Sequence, residues 1–150
     1  MLRCKTCTTF KTRDILYDPH GRTWPLHQWC PSNRQGQSPP GGRFPIPPDS
    51  PFLQPAVSFA AAIVNRECNC VMCQTIVVVT NATEQFESGV MYNFLMEMAD
   101  SNTCLVVDCL YNVSSAACPP DPLAPTYWCN ATVYARPWEN PPYILEGLSC

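Results

Sequence analysis

Residues 55–67 read PAVSFAAAIVNRE and residues 75–80 read TIVVVT, and the change of period between them decides the fold. In the first stretch Ala56, Phe59, Ala60 and Ile63 fall at the i, i+3, i+4, i+7 spacing of one buried helix face. Pro55 suits the first helical position, where its missing N–H leaves no bond unmade. A start further back, at Pro51 behind Ser50, would put Pro55 inside the helix and weaken it. The second stretch is β-branched throughout and reads as a strand. Strand signals follow at Phe86–Met98, where Tyr92, Phe94, Met96 and Met98 alternate, and at Cys104–Tyr111, Tyr127–Arg136 and Tyr143–Leu148. Breaks fall at Asn81, Ser88-Gly89, Pro119-Pro120 and between Pro137 and Pro142. One helix followed by four or five strands at hairpin spacing predicts an α+β domain. Its sheet should be antiparallel, because no crossover helices separate the strands.

Outward from this core the composition sets limits. The chain has 150 residues, 11 cysteines, 17 prolines and a formal net charge of −3. That length allows one domain with an arm. Charged residues make up 14% of the chain, which argues against a solvated disordered chain or a coiled coil. Residues 1–50 carry seven basic and three acidic side chains, and residues 51–150 carry two basic and nine acidic. A basic binder of nucleic acid is therefore not expected. The longest mostly apolar run, Ala56–Val64, is too short to span a bilayer, so no membrane partner is expected either. Arg3, Lys5, Lys11, Arg13, Asp14 and Asp18 interrupt the opening segment, so no secretory signal is visible in it. Between Pro31 and Pro55 the text PSNRQGQSPPGGRFPIPPDSPFLQP predicts an extended, partly polyproline II segment without regular structure. Residues 1–40 are expected to be an extended or disordered Cys/Pro-rich basic arm, and residues 41–150 the folded domain.

Cysteine use at this level calls for disulfides or metal. Cys104, Cys118, Cys129 and Cys150 lie in the strand-rich half at wide spacing, and four cysteines permit three pairings. Sequential pairing would close a local loop and staple a terminal hairpin, each worth roughly 3 kcal/mol in the chain-entropy account. Cys68, Cys70 and Cys73 form a Cys-x-Cys-x2-Cys cluster that could bind metal, pair with Cys109 or stay partly free. In the arm, Cys4 and Cys7 followed by His20, His27 and Cys30 approach a zinc-finger spacing. The gap between the histidines is too long, however, and Pro19 stands where a finger needs helix. No metal and no cofactor are expected. Both histidines lie in the arm, so a Cys–His nucleophile pair would need one of them folded onto the domain, and no enzyme is expected.

Five motifs then stand in order. The helix text AVSFAAAIVN, the run Gln85-Phe86-Glu87-Ser88-Gly89, the segment YNFLMEM at 92–98, the stretch CNATVYARPW from Cys129 to Trp138, and Gly41 upstream together resemble the type 2 cystatins. These are secreted inhibitors of papain-like cysteine proteases. In that family the second motif is Gln-x-Val-x-Gly, and the fourth keeps the same eight-residue step from Cys to Pro. The resemblance implies one long helix wrapped by a bent antiparallel sheet. It also implies a wedge made of the N-terminal arm at Gly41, a first hairpin loop at Gln85, Phe86, Glu87, Ser88 and Gly89, and a second loop at Pro137 and Trp138. Such a wedge would occlude the cleft of papain-like, cathepsin-type proteases reversibly and without covalent chemistry. Asn69 stands where some members present an asparagine to asparaginyl endopeptidase, although its neighbours Cys68 and Cys70 differ from the small and acidic residues usual there.

Two departures point to a diverged member. Glu87 replaces an apolar residue of the wedge loop, and Pro39-Pro40 replace the bulky apolar residues usual before the glycine. Burying a carboxylate costs several kcal/mol unless a partner meets it. The alternative reading is thus a secreted, non-inhibitory interaction protein that keeps the fold. Sequons at Asn81, Asn112 and Asn130 would carry glycans if the chain enters the secretory pathway, and the resemblance implies an extracellular location.

Overall fold

A computed structural model of the chain describes residues 42–150. Helix α1, Gln54–Glu67, has Pro55 in its first turn and Arg66 in its last. Leu53 precedes it, fully buried, and anchors its start. The buried stripe is Ala56, Val57, Ala60, Ala61, Ala62, Val64 and Asn65. It is rotated from the face expected from sequence, since Phe59 and Ile63 are only half-buried at its border. Small alanines let the helix approach the sheet closely, and the bulk is supplied from the sheet side by Phe94, Met96, Met98 and Val133. Burying a side chain of that size contributes about 1.5–3 kcal/mol.

The sheet has five strands in the order β1-β2-β3-β4-β5, every pair antiparallel. They are β1 Arg43–Pro45, β2 Met72–Phe86, β3 Val90–Leu105, β4 Tyr127–Ala135 and β5 Tyr143–Ser149. This is the α+β architecture expected from the change of period, with α1 packed on β2, β4 and β5. In β3 the buried residues Tyr92, Phe94, Met96 and Met98 alternate with partly exposed Met91, Asn93, Leu95 and Glu97, which gives the sheet one covered and one open face.

Four expectations need correction. Asn81 does not break the strand: it sits at a bulge inside β2, which runs on to Phe86. Arg43–Pro45 is a short strand inside the segment read as irregular; Pro45 is tolerated there because β1 is an edge strand. Phe86–Met98 is not one strand: Phe86 ends β2, and the chain turns through Glu87, Ser88 and Gly89 before β3 begins at Val90. Cys104–Tyr111 is a strand only as far as Leu105, after which Val106–Cys109 forms a 3-10 turn. Its β-branched valines are overruled by local bonds. The Asp108 carboxylate accepts from the Leu105 N–H, the Val106 N–H donates to the Val71 carbonyl, and Cys109 is drawn inward to Cys73.

Disulfides join Cys73–Cys109, Cys104–Cys118, Cys129–Cys150 and Cys68–Cys70. The first closes a sequence separation of 36 residues, which in the chain-entropy account is worth about 4 kcal/mol. The second closes a separation of 14 and pins the segment after β3 to the core. Cys4, Cys7 and Cys30, with His20 and His27, lie outside the described residues, as does Gly41.

A polar network locks the C-terminal half of α1 to the sheet. Asn65 Nδ2 donates to the carbonyls of Ala61 and Gln74 at 2.9 and 2.8 Å, and the Gln74 N–H donates to Asn65 Oδ1 at 2.7 Å. The Gln74 side chain then donates to Asp100 and accepts from the Tyr127 hydroxyl at 2.7 Å, so four elements share one network. Burial first, and then the Asp100 carboxylate, push the Tyr127 phenol up to about 12.

Two outcomes follow. Asn65→Ala leaves both backbone groups of Gln74 buried without this partner and should lower unfolding free energy by about 2–3 kcal/mol in chemical denaturation; a loss near zero would contradict the network. Because the folded pKa of Tyr127 lies above its unfolded value of 10.0, its contribution is complete below pH 10 and is lost as pH rises toward about 12. Tyr127→Phe should therefore show a shallower loss of stability between those limits than wild type, and identical slopes would contradict the assignment.

Candidate functional site

The strand pairings bring three segments to one end of the sheet. Arg43 at the start of β1 pairs with Gln85, Phe86 pairs with Val90 across the first turn, Val90 pairs with Ala135, and Ala135 pairs with Tyr143. The entry of β1, the Glu87–Gly89 turn and the loop from Arg136 to Pro142 therefore stand side by side. Of the residues singled out in the sequence, Gln85, Phe86, Glu87, Ser88, Gly89, Pro137 and Trp138 meet here.

The first loop is tight and braced. The Glu87 N–H donates to the Gly89 carbonyl at 3.0 Å, and Ser88 adopts φ 48°. Gly89 has φ 152°, and a Cβ there would lie 2.7 Å from the Ala135 carbonyl oxygen and 2.9 Å from the Tyr134 ring, so only glycine lets the turn rest on β4. The Tyr134 hydroxyl reaches across to the carbonyls of Glu87 and Ser88 at 2.8 and 3.1 Å. Gln85 Nε2 donates to Glu87 Oε1 at 2.6 Å. Phe86 is 54% exposed and meets Phe44 of β1 edge-to-face at 6.3 Å, which ties the arm side to the hairpin.

The second loop is closed by the Arg136 N–H donating to the Pro142 carbonyl at 2.7 Å. Arg136 also pairs with Glu139 at 2.9 Å and lies over the Tyr134 ring. Trp138 projects from this frame at 68% exposure. Large aromatic groups held on a rigid backbone lose little entropy on docking and serve as interface anchors. Tyr134, Phe44, Arg43 and Arg136 were missed from sequence. Their roles depend on cross-strand register, which no local pattern in the sequence carries.

The remaining sequence candidates lie elsewhere. Asn69 is exposed in the connection between α1 and β2, at the opposite end of the sheet, between the bonded Cys68 and Cys70. Asn81 is exposed at a bulge in β2 with φ 51°. Asn112 is exposed after the 3-10 turn and accepts from the Ser58 hydroxyl. Asn130 is exposed on the open face of β4. Cys73, Cys109 and Cys118 bring three sulfurs within 4.8 Å. All belong to disulfides, which removes the thiolates a metal would need. Among the described residues there is no histidine, and every cysteine is in a disulfide. Four disulfides fit an oxidising, extracellular environment.

Comparison with known proteins bears on this geometry. No family model matches the chain. The chain is 35% identical to kininogen-1 of Rattus norvegicus over 117 residues, 74% of this chain and 17% of that protein. It is 35% identical to T-kininogen 1 of the same organism over 95 residues, 63% of this chain and 21% of that protein. The chain thus spans about a fifth of the length of the curated relatives it matches. Among solved structures it is similar to the salivary cystatin of the soft tick Ornithodoros moubata, with a TM-score of 0.60 and 22% identity over 74% of this chain and 97% of that one. It is also similar to dimeric human cystatin F, with a TM-score of 0.58 and 20% identity over 81% and 94% of the two chains. Fold, ordered motifs and sequence similarity agree: the chain carries the cystatin fold and resembles the cystatin family.

Proposed function

We propose that the chain is a secreted type 2 cystatin that inhibits papain-like, cathepsin-type cysteine proteases reversibly, by filling the active-site cleft rather than by chemistry. The observation that carries this reading is the convergence of β1, the Glu87–Gly89 turn and the Arg136–Pro142 loop at one end of the sheet, with Phe86 and Trp138 exposed there. Gly41, which the resemblance assigns to the same wedge, lies outside the described residues. A braced loop presents side chains without a strained, extended peptide for the protease to cut, and its rigidity lowers the entropy lost on binding. None of the sequons at Asn81, Asn112 and Asn130 falls in the Glu87–Gly89 turn or the Arg136–Pro142 loop.

One observation favours a second reading. Glu87 is exposed at the tip of the first loop, where the family carries an apolar residue. If no protease meets that carboxylate, the domain is a non-inhibitory extracellular interaction protein. Inhibition of asparaginyl endopeptidase through Asn69 would act from the other end of the sheet and be separable from the first activity.

Titration of the full, oxidised chain against papain and a lysosomal cathepsin, following residual activity, tests the reading. The expected result is inhibition between nanomolar and low micromolar concentration. Trp138→Ala should weaken it by about 10- to 100-fold, the range of an aromatic hot spot. Gly89→Ala should weaken it as well, by pushing the tip off β4, while Asn69→Ala leaves it unchanged. A folded chain that inhibits neither protease would leave the second reading in place.

A further inference from the structure

The tip of the first loop holds a carboxylate more firmly than a chance surface charge would be held. Glu87 is exposed between Phe86 and Ser88, yet its Oε1 is bonded to Gln85 Nε2 at 2.6 Å. Gln85 Oε1 lies at a long 3.5 Å from Arg43 Nε of β1. The backbone beneath the carboxylate is fixed by the Tyr134 hydroxyl and by the Glu87 N–H to Gly89 carbonyl bond. Among the described residues the one ion pair within 4.0 Å is Arg136–Glu139, so the cation of the neighbouring loop is already matched and Glu87 has none.

A carboxylate positioned in this way has little conformational entropy left to lose, but it must shed water when the tip is covered. That cost is large when nothing replaces the water and is offset when a cation or well-placed donors do. The same group that weakens binding to an apolar wall therefore strengthens binding to a basic one, and rejects an acidic one outright.

Resting on the inhibitory reading above, we propose that Glu87 determines partner choice: the wedge takes papain-like proteases whose cleft presents a cationic side chain to the tip, and discriminates against those with an apolar or acidic wall there. Gln85 acts as its positioning residue by holding one carboxylate oxygen and leaving the other for the partner.

Inhibition constants for the full chain and its Glu87→Gln, Glu87→Val and Glu87→Lys variants, measured against papain and two lysosomal cathepsins at low and high sodium chloride, test this. For the protease that wild type holds best, Glu87→Gln should weaken inhibition by about 10-fold or more, as loss of a charge-assisted contact does. Wild-type inhibition should weaken with salt while that of Glu87→Gln does not, and Glu87→Lys should change the order of preference among the three proteases. Glu87→Gln and Glu87→Val binding every protease as tightly as wild type or tighter, in the same order, would overturn the proposal. So would inhibition by Glu87→Val alone. Failure of all four folded forms to inhibit any protease would instead overturn the inhibitory reading, and this inference with it.

Discussion

Val90 pairs with Phe86 on one side and with Ala135 on the other, and the geometry of the candidate site depends on that register. A one-residue slip in an antiparallel ladder exchanges the two faces of a strand. Here it would turn Tyr92, Phe94, Met96 and Met98 out of the core and carry Gly89 away from Ala135. The register is therefore held by apolar burial under α1, and the site inherits its placement from the core. Because the sheet is a simple meander, its alternate turns return to the same end. The Glu87–Gly89 turn and the Arg136–Pro142 loop become neighbours without any contact that has to be arranged between distant parts of the sequence.

The two ends of the sheet are stabilised differently. All four disulfides lie toward the end where α1 finishes and β2 begins, together with the Asn65–Gln74 network. There the chain runs through a 3-10 turn and long connections whose large apolar side chains Leu105, Val107, Tyr111 and Leu123 are exposed, and covalent links take over part of the work that a larger core would do. The opposite end carries no cross-link among the described residues. It is kept in place by hydrogen bonds from Tyr134, by the close approach of Gly89 to β4, and by the Arg136–Glu139 pair. An end held by directional bonds rather than by buried bulk can leave Phe86 and Trp138 in solvent, where a partner can reach them.

Much of this was legible in the sequence, and the remainder was not, for physical reasons. The helix and the strands follow from apolar period and the antiparallel pairing from the lack of crossover helices, whereas Gly89 and Trp138 were marked by the resemblance of their motifs to the cystatins. The buried helix stripe was displaced because Val57, Ala61 and Val64 face the sheet, a choice set by the packing partner rather than by the helix. The segment after Leu105 looked like strand because valines favour strands, and propensity cannot register the pull of a Cys73–Cys109 bond. Tyr134 was invisible as a site residue because its function is to bond carbonyls 46 and 47 residues away.

The central claim is that the end of the sheet bearing Glu87–Gly89 and Trp138 is the surface that meets a protease. Amide hydrogen exchange of the full chain, alone and with a catalytically inactive papain-like protease, tests it directly. The account predicts that a complex forms and that exchange slows at Phe86–Gly89 and Trp138–Asn140 while the Asn69–Met72 segment is unchanged. Protection confined to the Asn69–Met72 end, or a complex that leaves both loops unprotected, would contradict it.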